Sequence, residues 1–549
     1  MRTRGPILAA AVGSLVLSGG ASARATTHDP AFVLATARSA GDLPRGAAWL
    51  TSLAPGLQVY RLRVPAGRDA RAYARQLQDT GGAFAAQPDM KLRRTGIAGS
   101  CTAKPDPNTA LALPAEVNAA TLSTPSTDPI AVLDTGVDPA TPELAGRVLP
   151  GVNATDGSAN TADDDGHGTE VASVAAAAAG RFAGISPTSP IFPVRIYTPS
   201  SETTAAWVVK GIAAAANAGA AVINFSSSNP LTDVAPADAS VAQQAISAAF
   251  DKGTLTVVSA GNEGKNVATV PGSFWRVLDV GSASADGTRD PFSNFGPWLD
   301  LMSPGANLTV PIPPVVCPSG FGVANGTSFS APAVAGGVAL IKALRPKLSA
   351  QQLYDVVRLA AVKDLYSTGR DDDSGFGLLN VAAGVNSPAP IAQPTEVDDD
   401  VYWLRQDPKK HPTYLKRTRS FQLKSAVESG KDPQDVFPVY IRSGQTLTVG
   451  ATSGTAGLLS LGVWSPKTGP FDIGKGRATY LLADSAGVTS NPLVSYRARR
   501  SGTYFVSVEA PDIPDPSDPS ASGTPLEAQT KYTLKLRETK ASSRKKKKG

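Results

Sequence analysis

Three stretches of the chain carry the side chains that nucleophilic acyl chemistry needs: Asp134 in IAVLDTGVD, His167 in DDDGHGTEVAS and Ser328 in NGTSFSAP. A serine hydroxyl is a weak nucleophile until a base takes its proton. The base works best when a buried carboxylate fixes its tautomer and stabilises its charged form. Asp, His and Ser are therefore a chemically complete set. Histidine has an unperturbed pKa near neutrality and suits proton shuttling, and the chain has only three. Each residue also has a plainer reading. Asp134 precedes Gly136 and suits a turn. His167 lies between two glycines and suits a surface loop. Ser328 suits a helix cap, and Asn325-Gly326-Thr327 fits a glycosylation acceptor. A developing oxyanion needs donors. Asn262 in VVSAGNEG offers a side-chain amide to act with the Ser328 N–H, although alone it reads as a turn residue.

These residues need elements to hold them. From about Asp128, apolar runs rich in Val and Ile alternate with Ala-rich helical stretches. IAVLDTG, IFPVRIY, AAVINFS and TLTVVSAG read as buried strands. EVASVAAAAAG, TAAWVVKGIAAAANAG and ASVAQQAISAAFDKG read as helices, the last two closed by glycines. Unbroken apolar strands in such alternation predict a parallel sheet covered on both faces. Ligands on such sheets bind beyond the carboxyl ends of the strands.

DTGVD, DGHGTEVAS, SAGNEG and NGTSFSAP occur in the order and at separations like those of subtilisin-like serine proteases, and over about Ala115 to Val385 the chain resembles that family. The resemblance implies Asp134 as orienting acid, His167 as general base, Ser328 as nucleophile and Asn262 as oxyanion donor. It implies a three-layer αβα domain with a mostly parallel sheet, and hydrolysis of protein or peptide substrates through an acyl-enzyme with no cofactor in the chemistry. Ser226, Ser227 and Ser228 match the strand that pairs with substrate backbone. Ala260 and Gly261 match a wall of the main specificity pocket. Four positions depart from the family's habit: Glu170 and Phe329 stand where His and Met are common, and Ser227-Ser228 where Leu-Gly is. Structural calcium is common in the family. Its ligands here are unknown, with Asp138 and Asp163 to Asp165 no more than candidates.

The flanks define the remaining organisation. The chain has 549 residues, 42% hydrophobic and 18% charged, which is more than one core and ordinary for a globular protein. Residues 1–23 read as an export signal, with Arg2 and Arg4 before a short apolar run. No later segment is expected to anchor the chain in a membrane. Residues 24–100 are assigned to a small α+β unit resembling subtilase propeptides, which would act as intramolecular inhibitor and be cut near Arg93-Arg94 or Ser100-Cys101. In it, QVYRLRVP and AFAAQPDMKLR read as strands around a helix capped by Asp69, a βαβ-type order. Residues 101–386 form the protease domain and 387–400, SPAPIAQPTEVDDD, a linker. Residues 401–540 read as a β-sandwich resembling the bacterial pre-peptidase C-terminal domain. Residues 541–549 are a basic solvated tail. The net charge of +6 is small for this length, and no basic stripe with aromatics marks a nucleic-acid face. A monomer is expected. Cys101 and Cys317 are the only cysteines. Two free thiols are one reading. A single bridge is preferred in an exported protein, and such a long loop could contribute up to roughly 5 kcal/mol. A catalytically weak subtilase-like scaffold, binding through its C-terminal domain, is the alternative functional reading.

Overall fold

The computed structural model describes residues 29–539 apart from 94–98, 103–106, 179–180, 231–238, 275, 367–369, 390–412, 428–433, 454–457, 469–480, 486–488 and 510–529. The expected export signal, most of the linker, Arg94, the insert DIPDPSDPSASG and the basic tail lie outside the described residues.

The N-terminal unit contains β1 (Asp29–Ala37), β2 (Ala48–Ala54), β3 (Leu57–Arg63), α1 (Ala70–Asp79) and β4 (Ala85–Asp89). Its sheet runs β2-β3-β1-β4. Both β3 and β4 pair antiparallel with β1. They are therefore parallel to each other but not neighbours, and the expected βαβ unit is split by β1. That strand is buried on both faces: Val33 and Ala35 pack toward α1, and Leu34 toward the central domain. A strand of small residues covered on both sides has no polar-apolar alternation to read. The α1 helix begins where expected. The Asp69 side chain accepts from Ala72 N at 2.9 Å, and Ala70, Tyr73, Ala74 and Leu77 form the buried stripe. Beyond it come β5 (Lys91–Arg93) and β6 (Ser100–Cys101), both paired with strands of the central domain.

The central domain runs α2 (Pro107–Glu116), β7 (Ile130–Asp134), β8 (Val152–Asn153), α3 (His167–Ala176), β9 (Ile191–Arg195), β10 (Glu202–Thr204), α4 (Ala205–Asn217), β11 (Val222–Phe225), β12 (Asn229–Pro230), α5 (Ser240–Asp251), β13 (Leu255–Ser259), β14 (Thr269–Val270), β15 (Val277–Ser282), β16 (Leu301–Ser303), β17 (Leu308–Pro311), β18 (Phe321–Ala324), α6 (Thr327–Leu344), α7 (Ala350–Leu359), β19 (Val362–Lys363), β20 (Leu378–Leu379) and α8 (Val381–Asn386). Its nine-stranded sheet has the order β19-β20-β16-β15-β13-β11-β7-β9-β8. The registered pairs from β16 to β8 are parallel, and only the edge pair β19-β20 is antiparallel. Successive residues of β11 face opposite layers. Val222 joins the core under α3, α6 and α7, whereas Ile223 joins the core under α4 and α5. This is the expected three-layer αβα arrangement. The α6 helix is long and apolar enough to cross a membrane, but it is 83% buried and forms the centre of one layer.

The C-terminal unit contains β21 (Ser420–Val427), β22 (Gln434–Ile441), β23 (Thr446–Ser453), β24 (Ser460–Trp464), β25 (Leu481–Asp484), β26 (Leu493–Arg497), β27 (Gly502–Glu509) and β28 (Thr530–Thr539). They make two antiparallel sheets, β21-β28-β23-β26 and β22-β27-β24-β25. Their inner faces share one core that includes Phe437, Val449, Val463, Phe505 and Leu534, as a β-sandwich requires.

Candidate active site

Three neighbouring strands of the parallel sheet, β7, β11 and β13, deliver polar groups at their carboxyl ends. Asp134 is the last residue of β7, Ser226 follows β11, and Ala260 follows β13. Asp134 is buried and its Oδ1 lies 2.9 Å from His167 Nδ1. The same oxygen accepts from Thr135 N at 2.8 Å. His167 opens α3 and is fully buried. The turn around it needs a glycine: a Cβ on Gly168 would collide with the Gly136 carbonyl and lie 3.2 Å from Asp134 Cβ.

Asp163 is the organiser of this region, a role the sequence reading did not assign. Its carboxylate accepts from Thr135 Oγ1, Asp165 N, Gly166 N, Thr169 N and Thr169 Oγ1, at 2.6–3.2 Å. Burial pushes its carboxyl up, against the lowering effect of those donors. Thr135 Oγ1 in turn accepts from Gly168 N. The strand end carrying Asp134 and the helix start carrying His167 are thus tied to one buried carboxylate. The other calcium candidates point elsewhere. Asp164 pairs with Arg195 at 3.0 Å, Asp165 accepts from His167 N, and Asp138 accepts from Ala140 N. Among the described residues no group of three or more His, Cys, Asp or Glu side chains is placed to hold a metal ion.

Ser328 is the second residue of α6 and has no exposed surface. Its N–H belongs to the first helical turn, which has no intrahelical acceptor. Its hydroxyl faces Ser226 O at 3.4 Å, a long contact, while His167 Nε2 makes no hydrogen bond. The Asp–His pair is formed and the His–Ser bond is not. Phe329, next along the helix, packs on the imidazole with ring centroids 5.6 Å apart, so the serine and the histidine share one wall. Gly326 before them sits at φ 144, a conformation that favours glycine. Asn262 is held by its carbonyl: Oδ1 accepts from both Thr327 N and Thr327 Oγ1 at 2.9 Å. The amide nitrogen therefore points away from Thr327. Buried Asn294 shapes the loop that carries Asn262. It donates to Ala260 O and accepts from Glu263 N and Lys265 N. Nothing in SNFG separated it from a turn asparagine.

The remaining candidates gather here as well. Ser226 Oγ donates to Ser328 O at 2.8 Å and accepts from Asn224 Nδ2 at 2.9 Å. Ser227 and Ser228 follow it, both buried, and Ser228 Oγ has no hydrogen-bond partner. Gly261 N donates to Thr327 Oγ1 at 3.1 Å, and Ala260 is buried beside it. Glu170, one turn after His167 on α3, is fully buried and accepts from Gly99 N through both oxygens at 2.8 and 3.0 Å. Cys101 and Cys317 form a disulfide with Cα atoms 5.6 Å apart.

The chain compares with known proteins as follows. Residues 129–377 match the subtilase family, Peptidase S8. Subtilisin Savinase of Lederbergia lenta is 30% identical over 256 residues, covering 46% of this chain and 89% of the relative. Thermitase of Thermoactinomyces vulgaris is 33% identical over 215 residues, covering 39% of this chain and 74% of the relative. Among solved structures, the epidermin leader peptide processing serine protease of Staphylococcus aureus matches with a TM-score of 0.52 at 21% identity, covering 66% of this chain and 99% of that one. At that identity the structural likeness speaks for the fold alone. The sequence matches span most of a subtilisin's length, on a domain whose sheet order and strand-end geometry are those described above, and the chain belongs to the subtilase family of subtilisin-like serine proteases.

Proposed function

We propose that this protein is an exported serine endopeptidase whose N-terminal unit is its intramolecular inhibitor. The observation that carries the reading is the buried Asp134–His167 pair, at 2.9 Å, with Phe329 packed on the imidazole directly after Ser328. In the reactive state the Ser328 hydroxyl leaves Ser226 O and donates to His167 Nε2, which has no partner here. Such contacts commonly tighten when substrate binds. His167 then takes the hydroxyl proton as Ser328 Oγ attacks the scissile carbonyl, and Asp134 stabilises the imidazolium. The oxyanion forms against the Ser328 N–H and the Asn262 amide. His167 returns the proton to the leaving amine, and water releases the acyl group. Ser226 to Ser228 would pair with substrate backbone, and Ala260 and Gly261 would line the pocket before the cut. No cofactor enters these steps.

The zymogen reading rests on the N-terminal unit's contacts. Two protease-domain helices receive N-terminal acceptors from β4. Gln87 Oε1 accepts from Val241 N at 2.7 Å and Ala242 N at 3.2 Å on α5, whose own cap residue, Ala239, has no acceptor. Asp89 Oδ1 accepts from Ala206 N at 3.0 Å on α4 and also pairs with Arg61. A buried anion at a helix N-terminus complements its dipole. Met90 is buried in an apolar hollow with Val208, Ile212, Phe225 and Val270. Next to it β5 adds antiparallel to β10. His167 and Ser328 are wholly buried, and in this reading substrate reaches them after the unit is cut and released. The C-terminal sandwich binds a surface or adds stability rather than serving catalysis.

The test is purified wild type and Ser328→Ala incubated on unfolded casein. The wild type should shorten itself and then cleave casein, and the variant should do neither. Fully shortened wild type that leaves casein intact would sink the reading.

A further inference from the structure

The short strand β6 occupies a place that a substrate would be expected to use. It pairs antiparallel with β18, Cys101 opposite Gly322 and Ser100 opposite Val323. Thr102 N extends the pairing to Phe321 O at 3.0 Å. On its other side β18 pairs with β17, so β6 takes the outer edge of that sheet. From β18 the chain passes through Asn325 and Gly326 directly into Ser328.

The side of the cleft follows from proton chemistry. The general acid gives its proton to the departing amine, so the leaving half of a substrate lies on the histidine's side of the nucleophile. Two contacts place β6 on that side. Gly99, immediately before it, is held by Glu170, three residues after His167 and hence on the same helix face. The hairpin between β17 and β18 abuts Gly166, immediately before His167: a Cβ there would lie 3.3 Å from Ile312 and 3.5 Å from Val316. The disulfide then ties Cys101 to Cys317 within that hairpin. A cut anywhere between the N-terminal unit and Gly99 leaves β6 covalently in place.

We propose that β6, held by the Cys101–Cys317 bridge, is a retained wall on the leaving-group side of the cleft, and that it restricts how far a substrate extends past the cut. The preferred substrates are peptides or termini with a short leaving segment, and a longer segment must displace β6 from the β18 edge. The inference rests on the peptidase reading above. Reduction of the bridge frees β6 and relaxes the restriction.

The experiment uses self-processed wild type and the double variant Cys101→Ser/Cys317→Ser. The substrates are two peptides with the same acyl half, chosen from a mapped casein cut. One carries a single residue past the cut and the other carries four. Replacing the β6 backbone bonds costs the longer peptide about tenfold in kcat/KM in the wild type. The two peptides should become nearly equal in the double variant. Wild type treated with dithiothreitol, which becomes the cyclic disulfide as it leaves two thiols on the protein, gives the same comparison if the variant fails to fold. Cleavage of both peptides at a ratio that bridge removal does not change would overturn this inference alone. Cleavage of neither peptide by any form would overturn the peptidase reading, and this inference with it.

Discussion

In the proposed mechanism Asp163 and Asn262 serve the same chemistry from different distances. Asp163 touches no substrate, yet its five hydrogen bonds join the turns on either side of the Asp134–His167 pair. Asp163→Ala leaves those buried donors without an acceptor, at about 1–3 kcal/mol each where no water enters. We expect a fall in the protease domain's thermal midpoint together with a lower kcat. Asp163→Asn, which keeps one acceptor oxygen, should recover part of both. Unchanged kcat in the alanine variant would show that the triad aligns without it. In the proposed mechanism Asn262 acts directly. Asn262→Ala should lower kcat by about 100-fold to 1000-fold with little change in KM, the pattern of a donor used mainly in the transition state. Steady-state kinetics on a peptide substrate separate the two constants. In both cases the side chain's value comes from fixed partners, Thr327 for Asn262 and Thr135 and Thr169 for Asp163.

Between elements, the strand β4 carries the strongest statement about regulation. Its Gln87 and Asp89 serve the first turns of α5 and α4, and Met90 fills the hollow beside them. Loss of a helix-end acceptor costs about 0.5–2 kcal/mol, and shortening a buried Met costs about 2–5 kcal/mol. A separately made N-terminal unit carrying Asp89→Ala or Met90→Ala should therefore inhibit the processed enzyme at least several-fold more weakly than the native unit. Inhibition titrations measure this directly. Equal inhibition by all three would mean that the interface seals the cleft through β5 alone. The strand β1 explains why this unit was only half legible beforehand. Its residues contact α1 on one face and α5 on the other, so its sequence reads without a period.

On the scale of the whole molecule, the C-terminal sandwich has its own core and its own pH dependence. Asp435 is buried, accepts from the Tyr532 hydroxyl, and has its carboxyl pushed up to about 7 by burial. Nearby Tyr414 is pushed up to about 12, by its own burial and then by the Asp435 charge. An acid with a raised folded pKa holds its proton where the unfolded chain has released it. Rising pH then favours unfolding across the window between the two values. The sandwich's melting transition should therefore fall as pH rises from about 4 through about 7, and Asp435→Asn should flatten that slope. Calorimetry on the full chain at several pH values tests this. A transition that stays level over that range in the wild type would contradict the raised value.

The sequence by itself determined the subtilase family, through its four motifs, and the identity of the residues at the strand ends. Those are local facts: an apolar strand, a glycine turn and a polar residue at a set place in the turn. The αβα layering was also legible, because parallel strands buried on both faces leave long Val and Ile runs between Ala-rich helices. Relations between distant segments required the folded chain. The hub at Asp163 joins turns that read separately as an acidic loop and a threonine after a strand. The orientation of Asn262 depends on Thr327, 65 residues away. The placement of β6 beside β18 and the grip of Glu170 on Gly99 are likewise contacts across long separations. Such contacts leave no periodic trace, because each is a single hydrogen bond or bond between elements whose positions are set by the packing of everything between them.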